Sequence, residues 1–166
     1  MSYPKELYQA GAGEVSGRFR PAGSPPDLVI GGDATRRTEV SYLATGAGTG
    51  GQYGLYRWAM GAEPSGAGAH FHKTMSESFF VLDGTVELFD GDRWTTGREG
   101  DFLFVPPGGI HAFGNTEGPA TMLLLFAPGA PRERYFEELA AILGDGRMPA
   151  EAEWAELWRR HDQYPA

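Results

Sequence analysis

Residues 70–80, HFHKTMSESFF, place two histidines one residue apart and a glutamate five residues after the second. Side chains alternate across a β-strand, so His70 and His72 would point to the same face. Glu77 follows the turn-like segment KTMS, and a hairpin there would bring its carboxylate beside the two imidazoles. Neutral imidazoles and a carboxylate are common ligands of divalent transition metals. The stretch therefore predicts two adjoining strands that carry a metal site.

A third histidine extends this pattern. His111 follows the tight turn PPGG and again leads into a predicted strand. A single histidine at the end of a strand is usually a surface or packing residue. Three of the four histidines in the chain stand at such ends, however, and together with Glu77 they favour a metal site. The fourth, His161, has no partner at ligand spacing in its segment and is predicted to pack on a tryptophan-lined helix face.

Short strands account for the middle of the chain. Eight runs there are rich in β-branched and aromatic residues and are separated by Gly, Pro, Asp or Asn. The runs are EVSYLAT, QYGLYRWAM, AHFH, ESFFVL, TVELFD, DFLFVP, IHAFGN and ATMLLLFA. Strands at this spacing predict an all-β sandwich or barrel. The 25 glycines and 12 prolines among 166 residues suit many short strands joined by tight turns.

The length predicts one domain, with a distinct segment on each side of the strands. Residues 1–38 are punctuated by Gly and Pro and predict an extended arm with at most one or two short strands. Residues 39–128 would form the barrel. Residues 129–166 predict two amphipathic helices, within PRERYFEELAAILG and PAEAEWAELWRRH, which would cover a face of the sheet.

Composition excludes several classes of function. The net charge of −8, without a basic cluster, makes nucleic acid and anionic membrane surfaces unsuitable partners. The absence of cysteine excludes disulfides, thiolate metal sites and a cysteine nucleophile. The N-terminal residues MSYPKELYQAGAG lack a leader pattern, and no apolar run is long enough to span a membrane, so a cytoplasmic location is expected.

The histidine-containing segments resemble the two sequence motifs of the cupin superfamily. The first motif, G-x5-H-x-H-x3-4-E-x6-G, is matched except at its opening glycine, where Pro64 stands. Its matching residues are His70, His72, Glu77 and Gly84. The second motif, G-x5-P-x-G-x2-H-x3-N, is matched throughout, by Gly100, Pro106, Gly108, His111 and Asn115. The departure at Pro64 affects a turn position and leaves the ligand set intact.

This resemblance implies a small antiparallel jelly-roll barrel that binds one divalent transition metal through His70, His72, Glu77 and His111. A wider similarity, from TGAGTGGQYGLYRW to RYFEELA, is to the single-domain bacterial cupins that include the quercetin 2,3-dioxygenases. Those proteins also carry a helix after the barrel. Because cupins of this size commonly pair, a homodimer formed through barrel faces or N-terminal arms is expected as well.

The function expected from these features is that of a dioxygenase acting on an enolisable aromatic small molecule, flavonol-like or polyketide-like. Fe, Mn, Ni or Co would support dioxygen chemistry, whereas Zn would confine the site to Lewis-acid and acid–base work. Two alternatives stay open. One is a non-redox, metal-dependent polyketide cyclase or isomerase, and the other is a non-catalytic cupin that binds a small molecule.

The alternation of side chains along each strand, together with their chemistry, suggests roles for residues around the predicted metal. Glu77 is the expected general base, because a carboxylate can accept the proton of a substrate hydroxyl. Phe79 lies two residues after Glu77 and Phe113 two residues after His111, so each would point to the same side as that residue. Tyr56 and Trp58 lie on the more apolar face of the preceding strand. These four aromatic side chains are expected to bind the substrate. Packing in the core is the alternative explanation for them.

Overall fold

Two antiparallel β-sheets face each other in the computed structural model of the protein, which describes residues 2–32, 35–144 and 149–166. The elements in chain order are β1 (Leu28–Ile30), β2 (Thr38–Ala44), β3 (Gly54–Met60), β4 (Ser65–Phe71), β5 (Ser76–Asp83), β6 (Thr85–Phe89), β7 (Trp94–Arg98), β8 (Phe102–Val105), β9 (His111–Asn115), β10 (Ala120–Ala127), α1 (Arg132–Gly144), α2 (Glu151–Arg160) and β11 (Tyr164–Pro165). The larger sheet has the strand order β1-β2-β3-β10-β5-β8, and the smaller sheet has the order β11-β4-β9-β6-β7.

Inward and outward side chains alternate along the central strands. In β3, Tyr56, Trp58 and Met60 are buried, while Arg57 between them is exposed. This period of two places the apolar face of each sheet against the other sheet. Burying a large apolar side chain contributes about 1.5–3 kcal/mol. The side chains between the sheets therefore form the main hydrophobic core.

The predicted all-β fold with two C-terminal helices is confirmed, with one correction. The two sheets do not close into a barrel, because no strand of one sheet pairs with a strand of the other among the described residues. The four edge strands β1, β8, β11 and β7 have only 3, 4, 2 and 5 residues, and each pairs with a neighbour on one side only. The architecture is therefore an open two-sheet jelly roll.

Two strands outside the predicted runs complete the smaller sheet. The strand β7 is exposed at four of its five residues and so lacks the alternation that marks a half-buried strand. The strand β11 exists only through its pairing with β4. Both β7 and β11 therefore depend on contacts with the rest of the sheet.

Residues 2–27 form neither helix nor strand.

The helix α1 packs against the larger sheet. The ring of Phe136 lies 5.2 Å, centroid to centroid, from both Tyr56 and Trp58 of β3. In α2 the buried residue is Leu157, whose side chain is only 1 % exposed. Within the ranges 2–32, 35–144 and 149–166, no helix has the length and apolar character needed to cross a membrane.

Candidate metal centre

Four buried side chains converge between the two sheets. His70 of β4 and His111 of β9 are cross-strand partners in the smaller sheet. His72 follows β4 directly, and Glu77 enters from β5 of the larger sheet. Each of the four is at most 4 % exposed, and their candidate ligand atoms all lie within 4.8 Å of one another. The residues predicted as ligands thus form one cluster that could hold a metal ion.

Backbone carbonyl groups decide which nitrogen of each imidazole faces the cluster. Each of the three rings donates its Nδ1–H to a carbonyl oxygen at 2.5–3.0 Å. The acceptors are Gly68 for His70, Asp162 for His72 and Gly109 for His111. In a neutral imidazole so fixed, Nε2 carries the lone pair. The Nε2 atoms of His72 and His111 lie 3.0 and 2.9 Å from Oε2 of Glu77, and the donor set fits a divalent transition metal.

Burial and neighbouring charge set the protonation of the cluster. Burial alone would raise the pKa of Glu77, but its contacts with His111 and His72 outweigh burial and hold that pKa far below its ordinary value. Burial lowers the pKa of His70 to about 4. Burial also opposes protonation of His111, yet the hydrogen bond that a protonated Nε2 donates to Glu77, together with the charge of Glu77, raises the pKa of His111 overall. At neutral pH the cluster therefore offers an ionised carboxylate and a neutral His70.

Small residues in β4 make room beside this cluster. The register between β4 and β9 shifts between Ala67 and His70, and Gly66, Ala67 and Gly68 form a wall without large side chains. A Cβ at position 66 would lie 2.0 Å from the carbonyl oxygen of Phe113, so only glycine permits the close approach of the two strands there. The local sequence SGAGAH therefore places His70 and leaves space next to it.

That space is a cavity of about 280 Å³, lined in part by His70 and Glu77. The size is near the lower end of the usual range for small-molecule pockets. The rest of the wall is mostly apolar and includes Leu139, Trp154 and Trp158 from the two helices. The cavity therefore gives the cluster a mostly apolar border on that side.

The four aromatic residues predicted to bind substrate divide into two pairs. Trp58 and Phe113 line the cavity. Phe79 is fully buried and packs against Phe113 with ring centroids 5.5 Å apart. Tyr56 is also fully buried, and its hydroxyl donates a hydrogen bond to Glu133 at 2.5 Å. Phe79 and Tyr56 lie in the core beside the cavity and are not among the residues that line it.

Residues near the C-terminus complete the surroundings of the cluster, and the motifs do not point to them. The carbonyl oxygen of Asp162 accepts the Nδ1–H of His72. Its carboxylate accepts hydrogen bonds from the backbone of Lys73 and Thr74, at 3.1 and 2.8 Å, and from Oγ1 of Thr74 at 2.7 Å. Asp162 has a φ of 53°, a left-handed conformation that aspartate tolerates better than most residues. This one residue therefore orients a candidate ligand and anchors the turn after it.

Arg132 is a second residue that the motifs miss. It begins α1, is 4 % exposed and lines the cavity. Its guanidinium donates to the carbonyl oxygen of His161 at 2.9 Å and to Oε1 of Gln163 at 3.1 Å. The sequence does carry a weak signal, because a cation in the first turn opposes the helix dipole. His161 itself lies outside the cluster, with its Nε2 3.1 Å from Oε1 of Glu138.

We expect Asp162→Gly to weaken metal binding by about 10- to 100-fold, the usual effect of losing an outer-shell partner of a histidine ligand. Glycine tolerates the positive φ but lacks the carboxylate that holds the residue in place. Asp162→Asn keeps an oxygen acceptor and is expected to lose less. Titration of the metal-free proteins with Zn²⁺ checks this, and equal affinities in all three proteins would contradict the role of Asp162.

Comparison with known proteins agrees with this geometry. Residues 57–126 match the family model described as a cupin domain. An uncharacterized protein of Aquifex aeolicus (strain VF5) is 35 % identical over 60 residues, which cover 36 % of this chain and 49 % of that protein. The match thus spans about half the length of that relative. The matched family region contains the whole cluster.

Solved structures agree with the fold. A structure described as a predicted oxalate decarboxylase from Thermotoga maritima superposes with a TM-score of 0.57 and 19 % identity, covering 66 % of this chain and 96 % of that one. KdgF from Halomonas sp. gives a TM-score of 0.50 and 15 % identity, covering 56 % of this chain and 82 % of that one. At these identities the likeness concerns the fold alone. The sheet order and the solved structures therefore show that the two-sheet body of this protein has the cupin fold, and residues 57–126, which carry the His/Glu cluster, are similar to the cupin domain family.

Proposed function

We propose that this protein is a metal-dependent enzyme that adds dioxygen to a small, enolisable aromatic molecule. One observation carries the proposal: the candidate ligands His70 and Glu77 line an aromatic-walled cavity and belong to one four-residue cluster. A metal held there would have protein ligands on one side and room for a substrate on the other. A site of this kind serves chemistry on a bound small molecule better than a purely structural role.

His70, His72, Glu77 and His111 would hold the metal. A redox-active divalent ion in this donor set would supply dioxygen chemistry, and zinc would supply only Lewis-acid polarisation. The chain itself fixes the imidazoles through their Nδ1–H bonds to carbonyl groups. It also keeps the cluster at most 4 % exposed, which strengthens electrostatic interactions there.

Glu77 is the proposed proton acceptor. Both of its contacts with histidine nitrogens use Oε2, and Oε1 has no hydrogen bond within the described part of the chain. Glu77 also lines the cavity. The carboxylate could thus remain a ligand through one oxygen and accept the proton of a substrate hydroxyl through the other.

The walls suit a compact, flat aromatic substrate. Trp58 and Phe113, with ring centroids 6.2 Å apart and planes at 87°, face the cavity from the two sheets. Aromatic walls favour flat aromatic ligands through offset or edge contacts. The volume of about 280 Å³ favours one or two fused rings over a larger polycyclic molecule.

A non-redox cyclase or isomerase is the second candidate function. The observation that favours it is again the position of Glu77 in the cavity wall, since proton transfer next to a polarised carbonyl needs no oxidant. Both candidates use the same ligands and walls. They differ only in whether dioxygen is consumed.

Turnover in air and under argon separates the two candidates. The protein is purified without added metal, its metal is identified by elemental analysis, and 3-hydroxychromone and 3-hydroxyflavone serve as probe substrates. We expect oxygen uptake in proportion to product in air, no product under argon, and loss of both in His111→Ala. Equal turnover under argon would contradict the oxygenase and favour the cyclase. Tight binding without product under either condition would contradict both and favour a binding protein.

A further inference from the structure

A buried cation that makes no ion pair with the described residues lines the cavity. Arg132 is 4 % exposed, and no carboxylate of the described residues lies within ion-pairing distance of its guanidinium. Burial lowers the pKa of this guanidinium from its ordinary value, with Glu77 the largest of the charges that oppose this effect. Burying a charge is costly unless it is paired. The arrangement therefore favours a partner that carries negative charge.

Arg132 is held firmly by neutral groups. Its guanidinium lies over the rings of Tyr135, Phe126 and Phe136, at 4.3, 5.0 and 5.5 Å from their centroids. Its hydrogen bonds go to a carbonyl oxygen and to the amide of Gln163. None of these partners carries a negative charge. The side chain is thus preorganised but not neutralised.

The guanidinium also retains hydrogen-bonding capacity. It has five N–H groups, of which two are used in the hydrogen bonds to His161 and Gln163. Its Nε is buried with no partner among the described residues. A planar guanidinium matches an anionic oxygen group such as a carboxylate in geometry and in charge. Neutral water would leave the charge unbalanced.

The electrostatics of the cavity point in the same direction. Arg132 is the only Lys or Arg among the described residues that line it, and Glu77 is the only Asp or Glu. Glu77 already contacts two histidines through Oε2, and it would be committed further to a bound divalent ion. The lining would then carry excess positive charge in an apolar surrounding. A ligand with an anionic oxygen would offset this excess.

We propose that Arg132 is a specificity-determining residue that selects substrates carrying an anionic oxygen group, a carboxylate or an enolate, over neutral molecules of the same shape. The inference rests on the proposed function in placing the substrate in this cavity. It does not depend on whether the reaction consumes oxygen. The cavity walls restrict the substrate only by its shape and polarity, and Arg132 would further require a negative charge.

Binding of benzoate and benzamide to the Zn²⁺-loaded protein tests this inference. The two probes share a ring and a planar head group and differ in charge. We expect the wild type to prefer benzoate, and we expect Arg132→Gln to reduce that preference at least about tenfold, the effect of losing a charge-assisted hydrogen bond. Calorimetric titration measures both affinities. Zinc excludes oxygen turnover, so failure of the oxygenase proposal would not affect this result.

Arg159→Gln is the matched control, because it makes the same substitution at an exposed arginine of α2 that pairs with Glu156 at 2.9 Å and does not line the cavity. It should keep the preference for benzoate. An equal loss in Arg132→Gln and Arg159→Gln would show that the preference does not depend on the cation in the cavity wall. An unchanged preference in Arg132→Gln would also overturn the inference.

A second variant covers the case in which Arg132→Gln does not fold. Arg132→Met has a similar length, and replacing a buried charge by an apolar side chain is often neutral or stabilising. The same loss of the benzoate preference is expected in Arg132→Met. If the methionine variant binds benzoate with the wild-type preference, the inference is wrong.

Discussion

Replacing His111 with alanine is expected to weaken metal binding by more than about 100-fold, since loss of an outer-shell partner alone already costs about 10- to 100-fold. His111 supplies one candidate ligand nitrogen, 2.9 Å from the candidate ligand oxygen of Glu77. The same size of effect is expected for His70→Ala and His72→Ala. Metal titration followed by elemental analysis of the dialysed proteins measures it.

Thermal unfolding gives an independent readout of the same prediction. A metal that binds only the folded state stabilises it by about 2.7 kcal/mol at a free concentration 100 times its Kd. The wild type should therefore melt at a higher temperature with metal than without it, and His111→Ala should not. Comparing the metal-free melts shows whether the variant still folds. This comparison separates loss of a ligand from loss of structure.

His161→Ala is the control for the histidine series. His161 is partly buried and contacts Glu138 and Tyr135, but it lies outside the cluster. Its removal should leave the metal content unchanged. If His161→Ala empties the site while His111→Ala retains its metal, the assignment of the ligands is wrong.

The second large effect is expected for Glu77→Gln, which should lose about 10²- to 10⁴-fold in turnover, the usual contribution of a positioned general base. The amide keeps the size of the side chain and an oxygen that can coordinate weakly, but it cannot accept a proton at neutral pH. Metal affinity should fall as well, because a charged ligand becomes neutral. Activity is therefore measured at saturating metal, with occupancy determined on the same samples.

Glu87→Gln is the matched control for this change. Glu87 lies on β6, is only partly buried and accepts a hydrogen bond from Thr96 at 2.8 Å. The same substitution there should change neither occupancy nor turnover. A Glu77→Gln protein with full metal and full turnover would reduce Glu77 to a packing residue. Loss of metal in strict proportion to loss of turnover would make it a ligand without a role as base.

Local patterns in the sequence predict the fold class and bring together the four candidate metal ligands. Alternating apolar residues predict strands, and the change to a helical period after residue 130 predicts both C-terminal helices. The spacing of His70 and His72 places both on one face, because side-chain direction in a strand has a period of two. Such features depend on near neighbours in the chain, so they can be read without knowing the tertiary structure.

The tertiary structure decided what surrounds the ligands. The alternation of side chains along a strand predicts that Tyr56, Trp58, Phe79 and Phe113 point inward. It does not predict which of the inward side chains border the cavity. The shift of register between Ala67 and His70, together with the packing of the two helices on the sheets, opens the space that Trp58 and Phe113 face. A register shift depends on the partner strand, and the pattern along one strand does not show it.

The same reason explains the residues near the C-terminus. Asp162 lies 90 residues from His72 in the chain, yet its carbonyl oxygen accepts the Nδ1–H of that ring. In the sequence Arg132 stands out only as a cation in the first turn of a helix, whereas the packing of α1 and the C-terminal segment buries it beside the cavity. The candidate ligands follow from short-range spacing, whereas their orientation and the charge of the cavity depend on contacts between distant segments, which a local pattern does not record.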